Sequence, residues 1–239
     1  MPGGLLTDLH ELNMAASYLR RSMTGTATFS LFVRARPPGR GFLVAAGLAD
    51  CLRFLQDFSF TEDDLGYLRQ AQGYGEDILR ASAGLRFTGE VRAVPEERVV
   101  FAGESLLEVT APVAEAQLAE TVLLNHVTFQ TAVASKAARC VLAAGDAQLV
   151  DFAFRRTQGI NASLAVACAS AIAGFAATSN VAAARRYGLA AAGTMAHSFI
   201  EAFGDEEQAF AAFAEDSPAR RPSWSTPMTS AVAYGPPSR

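Results

Sequence analysis

The sequence predicts an α/β protein: an N-terminal α+β domain over residues 1–112, the first part of an incomplete, irregular α/β barrel with parallel strands over 113–217, and a tail at 218–239. Three observations predict it. In the first half, helical patterns and one aromatic-rich strand are followed by a run of short β-like pieces punctuated by Gly and Pro. Residues 113–144 then run without Gly or Pro and keep apolar residues at helical spacing. After Gly145, apolar strand-like runs alternate with helices, the pattern of a parallel sheet or barrel whose functional groups gather at the C-terminal ends of the strands.

Taken in order, residues 9–21 read as a helix, with Leu9, Leu12, Ala16 and Leu19 on one face and Thr7 or Asp8 available as N-cap. Residues 27–34 are rich in aromatic and β-branched side chains and read as a strand, which Pro37-Pro38-Gly39 ends. Helical patterning resumes over 43–58 and, less regularly, over 65–81. Short strands follow at 90–94, 98–101 and 106–110, with Pro95 and Gly103 between them. The stretch 113–144 predicts a long helix with room for one break, and Pro112 marks the domain boundary. Beyond it come a strand at 149–154, helices at 163–175 and 181–187, a strand at 189–192, and helix again from Ala196. Thr178-Ser179-Asn180 reads as a polar turn and N-cap between two of these helices.

Composition narrows the functional classes. Half of the 239 residues are hydrophobic, enough for a sizeable core. A net charge of −4 with both signs interspersed offers no basic patch for nucleic acid, so small-molecule partners are expected. The N-terminal residues lack the basic segment and apolar run of a secretory signal, which predicts a cytoplasmic protein. Cys51, Cys140 and Cys168 are widely spaced among Ala, Leu and Val and are expected as buried, reduced thiols, with no metal site. Residues 162–178 carry no charge and approach the lower limit for spanning a bilayer, about 17 residues. Their Ala, Ser and Gly content predicts a buried helix instead, and no membrane partner is expected.

Two segments could carry chemistry. In Gly188 to His197 a short apolar run and the turn Gly193-Thr194 precede His197 at the start of a helix, where unpaired N–H groups favour an anion. A histidine that only caps or packs at the helix end is the plain alternative. Arg155-Arg156-Thr157-Gln158-Gly159 places two guanidinium groups at the mouth of a strand, where planar forks grip carboxylate or phosphate oxygens. Adjacent arginines are usually a solvated surface pair. The apolar strand before them and the Gln-Gly turn after them favour a ligand site.

These segments, with Leu5-Leu6-Thr7-Asp8-Leu9, Phe29-Ser30-Leu31-Phe32-Val33-Arg34, residues 42–47, Leu106-Leu107-Glu108-Val109, Gly174-Phe175 and Gly193-Thr194-Met195-Ala196-His197-Ser198, resemble the nicotinate phosphoribosyltransferases, a family of type II phosphoribosyltransferases. The resemblance runs from Leu5 to about Asp216. It implies ATP-coupled formation of nicotinate mononucleotide and diphosphate from nicotinate and 5-phosphoribosyl 1-diphosphate, in NAD biosynthesis. It also implies that the histidine matching His197 accepts a phosphoryl group from ATP. Nicotinate contacts fall on Thr194 and position 10, and Arg155 and Arg156 face the substrate's negative groups. ATP is a co-substrate, Mg2+ accompanies the polyphosphates, and a homodimer is the assembly considered.

The sequence departs from the family twice. Position 10 is His, where the family usually has a Tyr whose ring can stack on the pyridine; imidazole offers a smaller surface and can carry charge. Family members also run well past this length and supply further barrel strands and phosphoribosyl-binding residues. Residues 220–239 instead lack strand alternation, carry Pro222, Pro227, Pro236 and Pro237, and predict a disordered tail. Trp224 and Met228 have one codon each, and a reading frame shifted by two bases permits Val-Asp-Thr-Tyr-Asp there, which predicts a frameshift. The alternatives are a catalytically inactive fragment and a nicotinamide-using enzyme; the His197 motif argues against quinolinate.

Overall fold

The computed structural model describes residues 3–216. Helix α1, Leu9–Arg20, follows the N-cap Asp8 and buries Glu11, Ala15 and Ala16. Strand β1, Thr26–Phe32, leads to the two-residue β2, Leu43–Val44. Three helices come next: α2 at Leu48–Asp57, α3 at Glu62–Gln72 and α4 at Glu76–Ala83. The strands β3, Glu90–Ala93, β4, Val99–Val100, and β5, Ser105–Pro112, complete the antiparallel part. Helix α5 then runs unbroken for 32 residues, Val113–Ala144, so the single break the sequence allowed is not used.

The antiparallel strands form a sheet in the order β1-β5-β3 and a separate ribbon of β2 with β4. In the sheet, Thr26 lies opposite Pro112 and Leu31 opposite Leu107. Its inner face supplies Leu107, Val109 and Ala111 to the main core, where they join Leu118, Leu123 and Val127 of α5 and Cys51, Phe54 and Leu55 of α2. Phe54, Phe58 and Phe60 pack edge to face, with centroids 5.7 and 5.8 Å apart.

The expected helix at 43–58 starts five residues late. All of 43–46 is buried, so its apolar run carries no period to tell strand from helix. The Val44 N–H donates to Ser135 Oγ of α5 at 2.9 Å, and the Ala45 N–H to the Arg98 carbonyl at 2.9 Å. Gly47 then turns the chain with φ +101, and a Cβ there would stand 2.8 Å from the His126 carbonyl oxygen.

After α5 the pattern changes to parallel. Strand β6, Val150–Asp151, is followed by a single 3-10 turn, Phe154–Arg156, and helix α6, Ile160–Ile172. Then come β7, Ala177–Thr178, α7, Val181–Tyr187, and β8, Ala190–Ala191. The three strands pair in parallel in the order β6-β7-β8 with helices between them, the start of the expected barrel. The strand expected at 149–154 ends at Asp151 because Ala153 takes helical torsions and begins the turn. Strand β7 was not expected; two fully buried residues leave no alternation to read.

Residues 3–192 belong to one compact unit and residues 193–216 to a second. The second holds α8, His197–Glu201, and α9, Glu206–Asp216, joined by Phe199, whose ring lies 5.0 Å from Phe203 and 5.6 Å from Phe213. The tail at 218–239, with the proposed frameshift, lies outside the described residues. Among the described residues no helix is long and apolar enough to cross a membrane.

Candidate functional site

The site starts from Asp151, the last residue of β6 and 5% exposed. Its Oδ1 accepts the Ala153 N–H at 2.9 Å, and its Oδ2 accepts the Thr178 hydroxyl at 2.8 Å from the neighbouring strand. Ala153 anchors the arginine turn through its carbonyl as well, accepting the Arg156 N–H at 2.8 Å and the Thr157 hydroxyl at 2.9 Å. Arg155 and Arg156 therefore project from a fixed turn at the C-terminal end of the first parallel strand, and both are exposed. Gly159, with φ +106, closes the turn in a conformation that side-chain-bearing residues avoid and starts α6.

Asn180 is the N-cap of α7, as the sequence predicts, its Oδ1 accepting the Ala183 N–H at 3.1 Å. Its Nδ2 donates to Ser163 Oγ in α6 at 3.2 Å, and its own N–H donates to Thr178 Oγ1 at 3.1 Å.

His10 is the second residue of α1 and is exposed. The turn before it is tied to the buried Glu11 carboxylate, which accepts from the Thr7 hydroxyl and, at 2.9 Å, from Thr121 of α5. Thr194 and His197 lie in the second unit, both exposed, with His197 the first residue of α8 after the N-cap Ala196. The structure thus joins Arg155 with Arg156 on one turn, and Thr194 with His197 on one short segment. His10 stands on a different element from either pair. None of the five side chains has a hydrogen-bond or ion-pair partner among the described residues, which leaves their polar atoms available to ligands.

Sequence reasoning missed Asp151 and Ser163. The available signal was a lone carboxylate in the apolar run Leu149-Val150-Asp151-Phe152, directly before the arginines. It also missed a cleft of about 430 Å³ whose walls include Asp50, His126, Gln130, Asn161 and Arg186. There Asp50 accepts from Arg53 at 2.6 Å and Gln130 at 2.8 Å. Burial lowers the His126 pKa, against the raising effect of Asp50.

Burial, then the nearby Asp50 and Glu96 carboxylates, push the Cys51 thiol up to about 12. Burial likewise raises Cys168 to about 11. Both suit inert structural thiols rather than nucleophiles. No group of three or more His, Cys, Asp or Glu that could hold a metal occurs among the described residues.

The fold that presents these residues is that of a solved phosphoribosyltransferase. It matches the crystal structure of human nicotinic acid phosphoribosyltransferase with a TM-score of 0.76 and 38% identity, over 82% of this chain and 40% of that one. The family profile described as the nicotinate phosphoribosyltransferase (NAPRTase) N-terminal domain matches residues 5–128, and that of the NAPRTase family matches residues 147–226. The chain belongs to the nicotinate phosphoribosyltransferase family. It is 50% identical over 217 residues to nicotinate phosphoribosyltransferase pncB2 of Mycobacterium tuberculosis, covering 91% of this chain and 47% of that protein. With the Bacillus subtilis nicotinate phosphoribosyltransferase it shares 42% identity over 212 residues, 88% of this chain and 43% of that one. The chain therefore spans about half the length of the curated relatives it matches.

Proposed function

We propose that the chain contributes to the ATP-coupled joining of nicotinate to 5-phosphoribosyl 1-diphosphate, giving nicotinate mononucleotide and diphosphate. The observation that carries this reading is the pair Arg155 and Arg156, fixed on one turn at the C-terminal end of a parallel strand and without side-chain partners among the described residues. Two guanidinium forks there suit the negative groups of nicotinate and of the phosphoribosyl donor. In the transfer, the pyridine nitrogen's lone pair forms a bond to the ribose C1 carbon, the bond from C1 to the diphosphate oxygen breaks, and diphosphate leaves with that electron pair. His10 and Thr194 would contact nicotinate, and magnesium would arrive as the counter-ion of the polyphosphates.

His197 would be the phosphoryl acceptor. An imidazole nitrogen forms a bond to the γ-phosphorus of ATP, ADP leaves, and water later releases phosphate. The imidazole is exposed, as a nucleophile for a bulky co-substrate must be. Homodimer assembly and a cytoplasmic setting belong to the same reading.

The test is to incubate the purified chain with nicotinate, 5-phosphoribosyl 1-diphosphate, ATP and magnesium and measure nicotinate mononucleotide. Product that is lost in His197→Ala, together with label from γ-labelled ATP, supports the reading. A soluble chain that makes no product and takes no label is the non-catalytic fragment. Product from nicotinamide in preference to nicotinate would move the substrate assignment to the amide.

A further inference from the structure

We propose that Asp151 and Thr178 form a positioning pair for the arginine turn, holding Arg155 and Arg156 in the geometry that grips an anion. The functional half of this inference rests on the proposed function; the structural half does not. A buried carboxylate is costly unless each oxygen finds a donor. Here the two oxygens take donors from two different elements, the Ala153 N–H of the turn and the Thr178 hydroxyl of β7.

Ala153 is the pivot. Its N–H is held by Asp151, and its carbonyl is held by the Arg156 N–H and by Thr157 Oγ1, so the torsions that aim both arginines depend on one residue's attachment. Thr178 in turn accepts the Asn180 N–H at 3.1 Å, and the Ser179 N–H donates to the Asp151 carbonyl at 2.8 Å. Asn180 links to Ser163, whose hydroxyl donates to the Ile160 carbonyl at 2.6 Å in the first turn of α6. One buried chain of hydrogen bonds therefore runs from the arginine turn across two strand ends to the starts of two helices, and Asp151 is where the turn joins it. Charge-assisted bonds of this kind are short and strong, which suits them to hold a turn whose own side chains face solvent.

The pair is tested in the full chain with Thr178→Val, which removes the hydroxyl at nearly constant shape, and Thr178→Ser, which keeps it. Amide hydrogen exchange reads the turn directly. Thr178→Val is expected to speed exchange at residues 153–157 roughly tenfold relative to the rest of the chain, and Thr178→Ser to restore it. Titration with inorganic diphosphate, at a temperature well below the unfolding of both variants, is expected to show several-fold weaker binding in Thr178→Val, restored in Thr178→Ser. Exchange at 153–157 that is unchanged in Thr178→Val, or that rises equally throughout the chain, overturns the proposal, as does a failure of Thr178→Ser to rescue. If the unaltered chain binds no diphosphate, the proposed function fails while the exchange result still decides the positioning role.

Discussion

Thr121 in the long helix α5 donates its hydroxyl to Glu11 Oε2 of α1 at 2.9 Å, across more than a hundred residues of chain. Glu11 is 1% exposed, and the same carboxylate takes the Thr7 hydroxyl and, at 3.4 Å, the Asp8 N–H. One buried carboxylate thus fixes the segment that carries His10 against a side chain of α5. Glu11→Ala leaves three donors without that acceptor and should lower stability by about 2–4 kcal/mol. Thr121→Val removes one donor and should cost about 1 kcal/mol. Urea unfolding of both variants checks the ordering; equal losses would show that the carboxylate is not the shared anchor.

Gly47 lies at the junction the sequence misread. With φ +101 and a Cβ position 2.8 Å from the His126 carbonyl oxygen, Gly47→Ala adds both torsional strain and a backbone clash. A loss of about 1–3 kcal/mol is expected, seen as a lower midpoint in thermal unfolding. Ala at Gly66, where nothing lies within 4 Å and the residue is inside α3, should instead be neutral or stabilising.

What was legible in the sequence follows from where period and end signals survive. Helices α1 and α7 sit within one residue of expectation, because Asp8 and Asn180 mark their starts and Gly188 takes the left-handed conformation at the end of α7. Helix α5 was legible because nothing within it interrupts the pattern. Strands β2 and β7 were not, since two buried residues each give no alternation and their pairing is decided by distant partners such as Ser135 and Asp151. The arginine pair could be found from its place after an apolar run; the carboxylate stood in that same run, but what it holds could not be read there. Its role comes from Thr178, 27 residues away, and from a turn that the strand pattern concealed.

Cys51 couples stability to alkaline pH. Its side chain is fully buried and its pKa is raised from the ordinary 9.0 to about 12, so the folded protein keeps a proton that the unfolded chain releases. The unfolded state then binds fewer protons, and stability falls as pH rises between about 9 and 12. Below pH 9 the contribution is fully present. Cys51→Ala should flatten that part of the stability profile at the expense of some packing. Iodoacetamide at pH 8 should modify Cys51 only as fast as the fold opens; rapid labelling of the native chain at Cys51 would contradict this.

Position 10 carries an imidazole where the resemblance to the family implies a phenol ring. His10 is exposed on the first turn of α1, so a larger ring can be placed there without disturbing the core. If this residue stacks on the pyridine, His10→Tyr enlarges the aromatic contact by an amount worth about 0.5–1.5 kcal/mol, roughly two- to thirteenfold in affinity. The gain should appear as a lower KM for nicotinate with kcat little changed, because the contact serves bound substrate and transition state alike. A KM that stays constant in His10→Tyr would take position 10 out of the proposed nicotinate site.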